Sequence, residues 1–359
     1  MAKVRVFFVT NRNHLDDNKL QVFGKSFNPD GVAALRFGYA DYEKNKSKPK
    51  LHDLHVYPDN KAGTDINKTG GGMFMEELRK VMAGSKKTDT LVFIHGFNVS
   101  FLGALDAGAL LGQSLKVEGR DVNLVVFSWP SDGSAVPLMS YYSDREDARV
   151  SGPALARAFL KLREFVTVLP EEDYCQRRIH LLAHSMGAYV LRNGLQALIA
   201  KDRDSLIRLF DQIMMAAPDE DDDTFEHETK LRLLPRIGRQ VTVYFNPGDR
   251  ALLISDKTKA NPDRLGSDGP RLVDLLPKKV VPVDCRKVAP GVDRWAEHSY
   301  YLRSKALELD MNAVMADAVP EEIANRIFVE RTRSWRLMEE LGEKKVVIPP
   351  AVETETPGA

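Results

Sequence analysis

Cysteine is scarce: Cys175 and Cys285 are the two in 359 residues. Two are too few for a disulfide framework, and their spacing matches no zinc motif, so both are read as ordinary thiols. An excess of one charge sign is missing as well, because lysine plus arginine and aspartate plus glutamate each total 51. Without a net field, the chain has no overall attraction to nucleic acid or to an anionic membrane. Long apolar runs are also lacking. No stretch could form a transmembrane segment, and the opening Met1–Arg12 run is too short in apolar residues for a secretory signal. A soluble, cytoplasmic protein is the expectation. Gly70–Gly72 is not followed by Lys-Ser/Thr, so a phosphate-cradling loop for nucleotide hydrolysis is not expected. There is no internal repeat.

What is present is an ordinary apolar content of 43% beside a slightly high charged fraction of 28%. The apolar runs are short and β-branched, and they alternate with helical patterns. That alternation predicts an α/β fold with a mostly parallel central sheet and helices on both faces. Strands are expected at Val4–Val9, Thr90–Ile94, Asn123–Ser128, Arg178–Ala183, Gln212–Ala217, Gln240–Phe245 and, last, Val280–Asp284. A further strand pair is expected at Leu35–Tyr42 and Leu51–Tyr57. Gly70–Gly72 reads as a hinge before a helix at Met73–Met82. Other helices are expected at Phe101–Val117, Ser143–Val166, Met186–Ala200, from about His298, and over Glu321–Leu341. The whole reads as one domain over residues 1–342, with N-terminal strands and loops in 1–72 and a catalytic core in 73–342. The tail 343–359 reads as disordered or extended.

The chemistry centres on Ala183-His184-Ser185-Met186-Gly187. A buried strand delivers the chain to Ser185, and an apolar-periodic helix leaves it, which is the context of a nucleophile elbow. Such a serine sits in a strained backbone conformation, so the residues two before and two after it must be small. They are Ala183 and Gly187, where the usual pattern has glycine at both. The turn sets the Met186 N–H at a helix N-terminus, ready to face a developing oxyanion.

A serine hydroxyl needs a histidine to take its proton and a carboxylate to orient that histidine. In strand–turn–helix hydrolases the order along the chain is serine, acid, histidine. Of eight histidines, His227 and His298 follow Ser185. His227 lies in the acidic stretch Asp219–Glu228, which reads as a solvated helix start, so His298 is the better base. Two acids compete: Asp249, in the turn Pro247-Gly248-Asp249 after one strand, and Asp219, at the carboxyl end of the preceding strand. Asp249 is favoured and Asp219 is the alternative. The His95-Gly96 turn at the end of another strand leaves room to present the Phe97 N–H as the second oxyanion donor. His95, lying before the serine, is assigned a structural role. Trp129 is read as a pocket wall or a packing residue, and Tyr141, Tyr142, Asp144 and Arg145 as neighbours of the rim. Residues 131–145, 220–238 and 255–275 are candidate pocket covers.

Together, His95-Gly96-Phe97-Asn98, Ser128-Trp129-Pro130-Ser131, Ala183-His184-Ser185-Met186-Gly187, Ala217-Pro218-Asp219 and Gly248-Asp249-Arg250-Ala251-Leu252-Leu253 resemble DUF900, a bacterial group of esterase- or lipase-like α/β-hydrolases. Leu265-Gly266 and His298-Ser299-Tyr300-Tyr301 fit the same pattern, and Thr10-Asn11-Arg12 fits it more loosely. The resemblance covers about residues 90–305. It implies the α/β-hydrolase fold, a Ser185–Asp249–His298 triad and hydrolase chemistry, without specifying a substrate. The expected partner is a small-molecule acyl ester or thioester, and no metal or organic cofactor is expected. The rival readings are an acyltransferase on the same site, and a non-catalytic hydrolase-like binding or scaffold protein.

Overall fold

A computed structural model of the chain describes residues 3–16, 22–45, 49–59, 65, 68–84, 89–131, 137–168, 176–249, 251–252, 263–289 and 298–339. The expected tail 343–359 lies outside them.

Among the described residues, eleven strands form one sheet, in the order β14-β15-β13-β12-β11-β10-β6-β9-β1-β4-β5. Its middle consists of β1 (Lys3–Thr10), β6 (Thr90–Ile94), β9 (Asn123–Ser128), β10 (Ile179–His184), β11 (Phe210–Ala216), β12 (Gly238–Phe245) and β13 (Val280–Asp284). These seven run parallel. On one side β4 (Arg36–Glu43) and β5 (Lys50–Val56) add antiparallel strands to β1. The central strands are almost wholly buried, as their β-branched runs require when helices cover both faces. One face packs under α1 (Gly70–Ala83), α4 (Gly152–Val168) and α5 (Gly187–Lys201), with Phe74, Leu78, Phe159, Leu191 and Leu195 in its core. The other packs under α2 (Phe101–Ser114) and a helix at Lys305–Met315, with Leu105, Leu111, Leu307 and Met311 in its core. Short paired strands β2 (Arg12–His14) and β3 (Phe23–Phe27), and β7 (Lys116–Val117) and β8 (Arg120–Asp121), lie outside the main sheet. No helix of the described residues is long and apolar enough to cross a membrane.

Several local expectations need correcting. Gly70–Gly72 is no hinge but the first turn of α1, capped by Thr69 Oγ1, which accepts from the Gly72 N–H at 3.1 Å. A Cβ on Gly70 would lie 2.7 Å from the Pro58 carbonyl, so glycine is used there for close approach. The helix expected over Ser143–Val166 is two, α3 (Pro137–Val150) and α4, because Pro153 lacks the N–H that would continue the ladder. The helix expected to reach Val117 stops at Ser114, where the chain turns into β7 and β8.

Downstream, α6 is the short helix Leu265–Asp268, and α7 is Lys305–Met315, which begins at the Ser304 cap and not at His298. Val280–Asp284 is not the last strand. The segment read as helical over Glu321–Leu341 contains the hairpin β14 (Arg326–Val329) and β15 (Ser334–Leu337), turned at Arg333 with φ 45°. The β-forming run Ile327-Phe328-Val329, paired antiparallel with Ser334–Leu337, outweighs the helical pattern there.

Candidate active site

Strand β10 ends at His184, and Ser185 turns sharply with φ 51°, a left-handed conformation that costs a non-glycine residue on the order of 1–3 kcal/mol. Neighbouring backbone holds it there. The Ser185 N–H donates to the Ala216 carbonyl at 3.0 Å, and the Ser185 carbonyl accepts from the Asp219 and Ala188 N–H groups, each at 3.0 Å. Gly187 has no alternative, since a Cβ would meet the Ile94 carbonyl oxygen at 2.5 Å. Ala183, the departure from double glycine, sits fully buried on β10.

Ser185 Oγ lies 2.8 Å from His298 Nε2, and His298 Nδ1 lies 2.7 Å from Asp249 Oδ2. The carboxylate takes the Nδ1–H, so Nε2 is free to accept from the serine hydroxyl. All three side chains are buried. The turn after β12 aims Asp249: its N–H donates to the Asn246 carbonyl, and its Oδ1 accepts from the Ala251 N–H at 3.1 Å. Burial works against a charged His298, but the Asp249 charge, the Asp249 hydrogen bond and the Asp219 charge outweigh it and raise the imidazole pKa. Asp219 is directed elsewhere. Its Oδ2 accepts from Tyr141 O–H at 2.8 Å, and its Oδ1 lies 3.9 Å from Arg264 Nε.

Two more histidines flank the row, and both stay neutral. His184 Nε2–H donates to the His298 carbonyl at 3.1 Å, and its ring packs on Tyr301 with centroids 4.3 Å apart. Burial, then the neighbouring His298, drives its pKa well down. His95 stacks on Trp129 at 5.2 Å, while the Trp129 indole N–H donates to the His95 carbonyl at 2.9 Å. Burial, then the Arg12 charge, pushes His95 down to about 3. Trp129 is therefore a packing residue, fully buried.

The loop from Gly96 to Val99 runs against the elbow: a Cβ on Gly96 would lie 2.9 Å from Ser185 Cβ. Asn98 turns with φ 59°, and its N–H donates to Asp144 Oδ2 at 3.0 Å. Ser131 Oγ–H donates to the same oxygen at 2.5 Å and accepts from the Val99 N–H at 3.1 Å. Beneath them lies Arg12, 1% exposed, which donates to the Val99 carbonyl at 2.8 Å, Ser128 Oγ at 3.0 Å and the Gly24 carbonyl at 3.2 Å. Sequence reasoning did not find this brace. The available signal was a polar Thr10-Asn11-Arg12 run directly after a strand whose carboxyl end lies beside those of β6 and β10.

Phe97, Val99, Tyr141, Asp219, Leu252 and Tyr301 line a cavity of about 270 Å³ in front of Ser185. Of the rim residues expected from sequence, Tyr141 reaches this cavity. Tyr142 is exposed, Asp144 is buried in the brace, and the Arg145 guanidinium stacks on Tyr189 at 3.8 Å. Of the candidate covers, 137–145 belongs to α3, while 132–136 and 253–262 lie outside the described residues. The acidic stretch from Asp219 is not a solvated helix start. It is a chain of turns whose carboxylates are largely buried, because distant cations neutralise them: Arg192 reaches Glu220 at 3.1 Å, and Arg264 reaches Asp221 at 2.6 Å. His227 lies beside Asp223. Among the described residues, no three or more histidine, cysteine or acidic side chains are arranged to hold a metal ion.

With the elbow and the parallel sheet in view, a comparison with known families has a structural counterpart. Residues 72–316 match the family described as alpha/beta hydrolase of unknown function, DUF900. The chain belongs to this family. A similar protein, described only as uncharacterized, occurs in Nostoc sp. (strain PCC 7120); it is 28% identical over 221 residues. That alignment takes in 54% of this chain and 51% of the relative, so the chain spans about half the length of the relative it matches. The DUF900 match includes Ser185, Asp249 and His298 but begins after Arg12, so one arm of the brace comes from outside the matched region.

Proposed function

We propose that the protein is a serine hydrolase that cleaves a carboxylic ester or thioester through an acyl-enzyme on Ser185. The observation that carries this reading is the unbroken row Ser185 Oγ, His298 Nε2, His298 Nδ1, Asp249 Oδ2, with both gaps below 3 Å. His298 accepts the hydroxyl proton as Ser185 Oγ bonds to the acyl carbon. Asp249 holds the imidazole in the required tautomer and stabilises the imidazolium that forms. As the tetrahedral adduct collapses, the carbon–oxygen or carbon–sulfur bond of the leaving group breaks, and His298 returns its proton to the departing alcohol or thiol. His298 then takes a proton from water, whose oxygen attacks the acyl carbon, and Ser185 leaves with that proton.

The oxyanion role falls to the backbone N–H groups of Phe97 and Met186. In support, Gly96 brings its loop within contact of Ser185, and Met186 immediately precedes the first turn of α5. No step of this scheme draws on a metal or an organic cofactor. Fluorophosphonate labelling and turnover of short p-nitrophenyl esters test it. Both are expected for the native chain and absent in Ser185→Ala. Labelling that persists in Ser185→Ala, or a native chain inert to every acyl ester and thioester tried, overturns the proposal.

A further inference from the structure

The catalytic row occupies the carboxyl ends of the strands. At their amino ends, roughly 20 Å away along β10 at about 3.3 Å per residue, lies a different construction. From there a cavity of about 80 Å³ runs along the sheet face under α1, α4 and α5, from Thr90 and Ile179 to Ile94 and Phe127, with walls that are apolar except for Thr90. A second cavity, of about 220 Å³, shares Met75, Leu78, Leu162, Ile179 and Phe210 with it. Its mouth carries Arg79, Arg177, Arg178 and Arg208, with Asp211 as the one acid among the described residues.

Among the described residues, the charges at this mouth do not cancel. Arg79 is engaged by Glu76 at 2.9 Å and Arg178 by Asp89 at 3.0 Å, while Asp211 already faces Arg239 at 3.7 Å. Arg177 and Arg208 have no side-chain partner among the described residues, and the Arg177 Nε is buried without an acceptor. An orphaned guanidinium nitrogen at the entrance of an apolar channel is costly unless an anion meets it. A ligand that satisfies both features has an alkyl chain and a single anionic head. A planar carboxylate suits the guanidinium fork better than a spherical ion.

We propose that this channel binds a long-chain free carboxylic acid, with its alkyl chain between α1, α4 and the sheet and its carboxylate on Arg177 and Arg208. The site is separate from the Ser185 cavity and does not rest on the hydrolase reading.

Palmitate titrated into the full chain carrying Ser185→Ala, followed by calorimetry, tests it. One saturable site per chain is expected. Arg177→Ala with Arg208→Ala should weaken binding about ten- to hundredfold, the loss of charge-assisted hydrogen bonds. Leu162→Trp, which fills the shared wall, should abolish binding. Hexadecanol and hexadecyltrimethylammonium, which keep the chain but change the head, should bind more weakly than palmitate. Absence of saturable binding overturns the proposal, as does binding indifferent to the arginine pair. Two further outcomes also overturn it: loss of palmitate binding when Ser185 of the native chain is blocked by a sulfonyl fluoride, and retention on phosphatidylserine vesicles without binding of monomeric palmitate. If Leu162→Trp fails to fold, the arginine pair alone decides.

Discussion

Two sides of the Ser185 cavity are built on opposite electrostatic rules. On one side, His298 faces two carboxylates, Asp249 in contact and Asp219 behind, and its pKa is raised despite burial. On the other, His95 faces the Arg12 guanidinium and Trp129, and its pKa falls to about 3. Both rings are buried, so desolvation alone cannot separate them; the sign of the neighbouring charge does. In the proposed scheme, one side moves a proton. The other is equipped to hold backbone still, because its polar groups hold the turn at Phe97 and Asn98 through Ser131, Asp144 and Arg12.

Removing the carboxylate on the proton-moving side gives the largest contrast short of deleting Ser185. Asp249→Asn keeps the shape of the side chain but loses the charge and presents an amide to His298 Nδ1. By analogy with the loss of this group in serine hydrolases generally, kcat for ester hydrolysis is expected to fall about 10⁴-fold. A drop below tenfold would show that Asp219 can replace it. The native kcat/KM should rise with pH through an apparent pKa above the ordinary imidazole value of about 6.5, since the base must be neutral. In Asp249→Asn that limb should move to lower pH. A native limb below the ordinary value would break the contrast between the two histidines.

The two sides were also unequally legible in the sequence. The proposed nucleophile, Ser185, lies in a five-residue string bounded by a strand and a helix, so local physics marks it. His298 and Asp249 followed from chain order and from turn chemistry after strands. Asp249 and Asp219 stayed in competition because both end a strand, and only the three-dimensional path of the Asn246–Asp249 turn separates them. The brace gave no such string. Arg12, Ser131 and Asp144 come from three separate elements, and each has a bland local reading as a strand end, a turn or a helix surface. The β14–β15 hairpin was missed for a related reason: its edge strands are short and half exposed, so the burial pattern that marks a strand is weak there. The inner strands read correctly because they are buried on both faces.

A smaller effect is expected from the holding side. Arg12→Lys keeps the positive charge but loses the fork that reaches the Val99 carbonyl and Ser128 Oγ together. Arg12 touches no reacting atom in the proposed scheme and acts as a positioning residue for the Phe97 N–H. A loss of kcat of about ten- to a hundredfold is expected, with KM and the pH limb unchanged, because a misaligned oxyanion donor weakens the transition state alone. Binding of a boronic acid that mimics the tetrahedral adduct should weaken in step with kcat. If KM rises with the pH limb displaced, or if the boronic acid binds as before, Arg12 is merely structural.

The smallest expected effect concerns stability, and it sets the two histidines against each other by sign. His95 has a depressed pKa in the fold, so below about pH 6.5 the unfolded chain takes up a proton that the folded chain refuses. Folding stability should therefore fall as pH drops from about 6.5 toward 3, by up to about 1.4 kcal/mol per pH unit from this group, with His184 adding in the same direction. His298, with its raised pKa, contributes stability that is complete below the unfolded value and is lost as pH rises through the folded one. Urea midpoints measured across this range should show the acid-side slope, and His95→Gln should flatten it while leaving the loss on the alkaline side. Gln still offers an oxygen to the Trp129 backbone N–H, which donates to His95 Nε2 at 3.3 Å, and this limits the cost of the substitution itself. An unchanged acid slope in His95→Gln would mean that burial and the Arg12 charge do not hold the ring neutral, and the electrostatic contrast between the two walls would fail on that side.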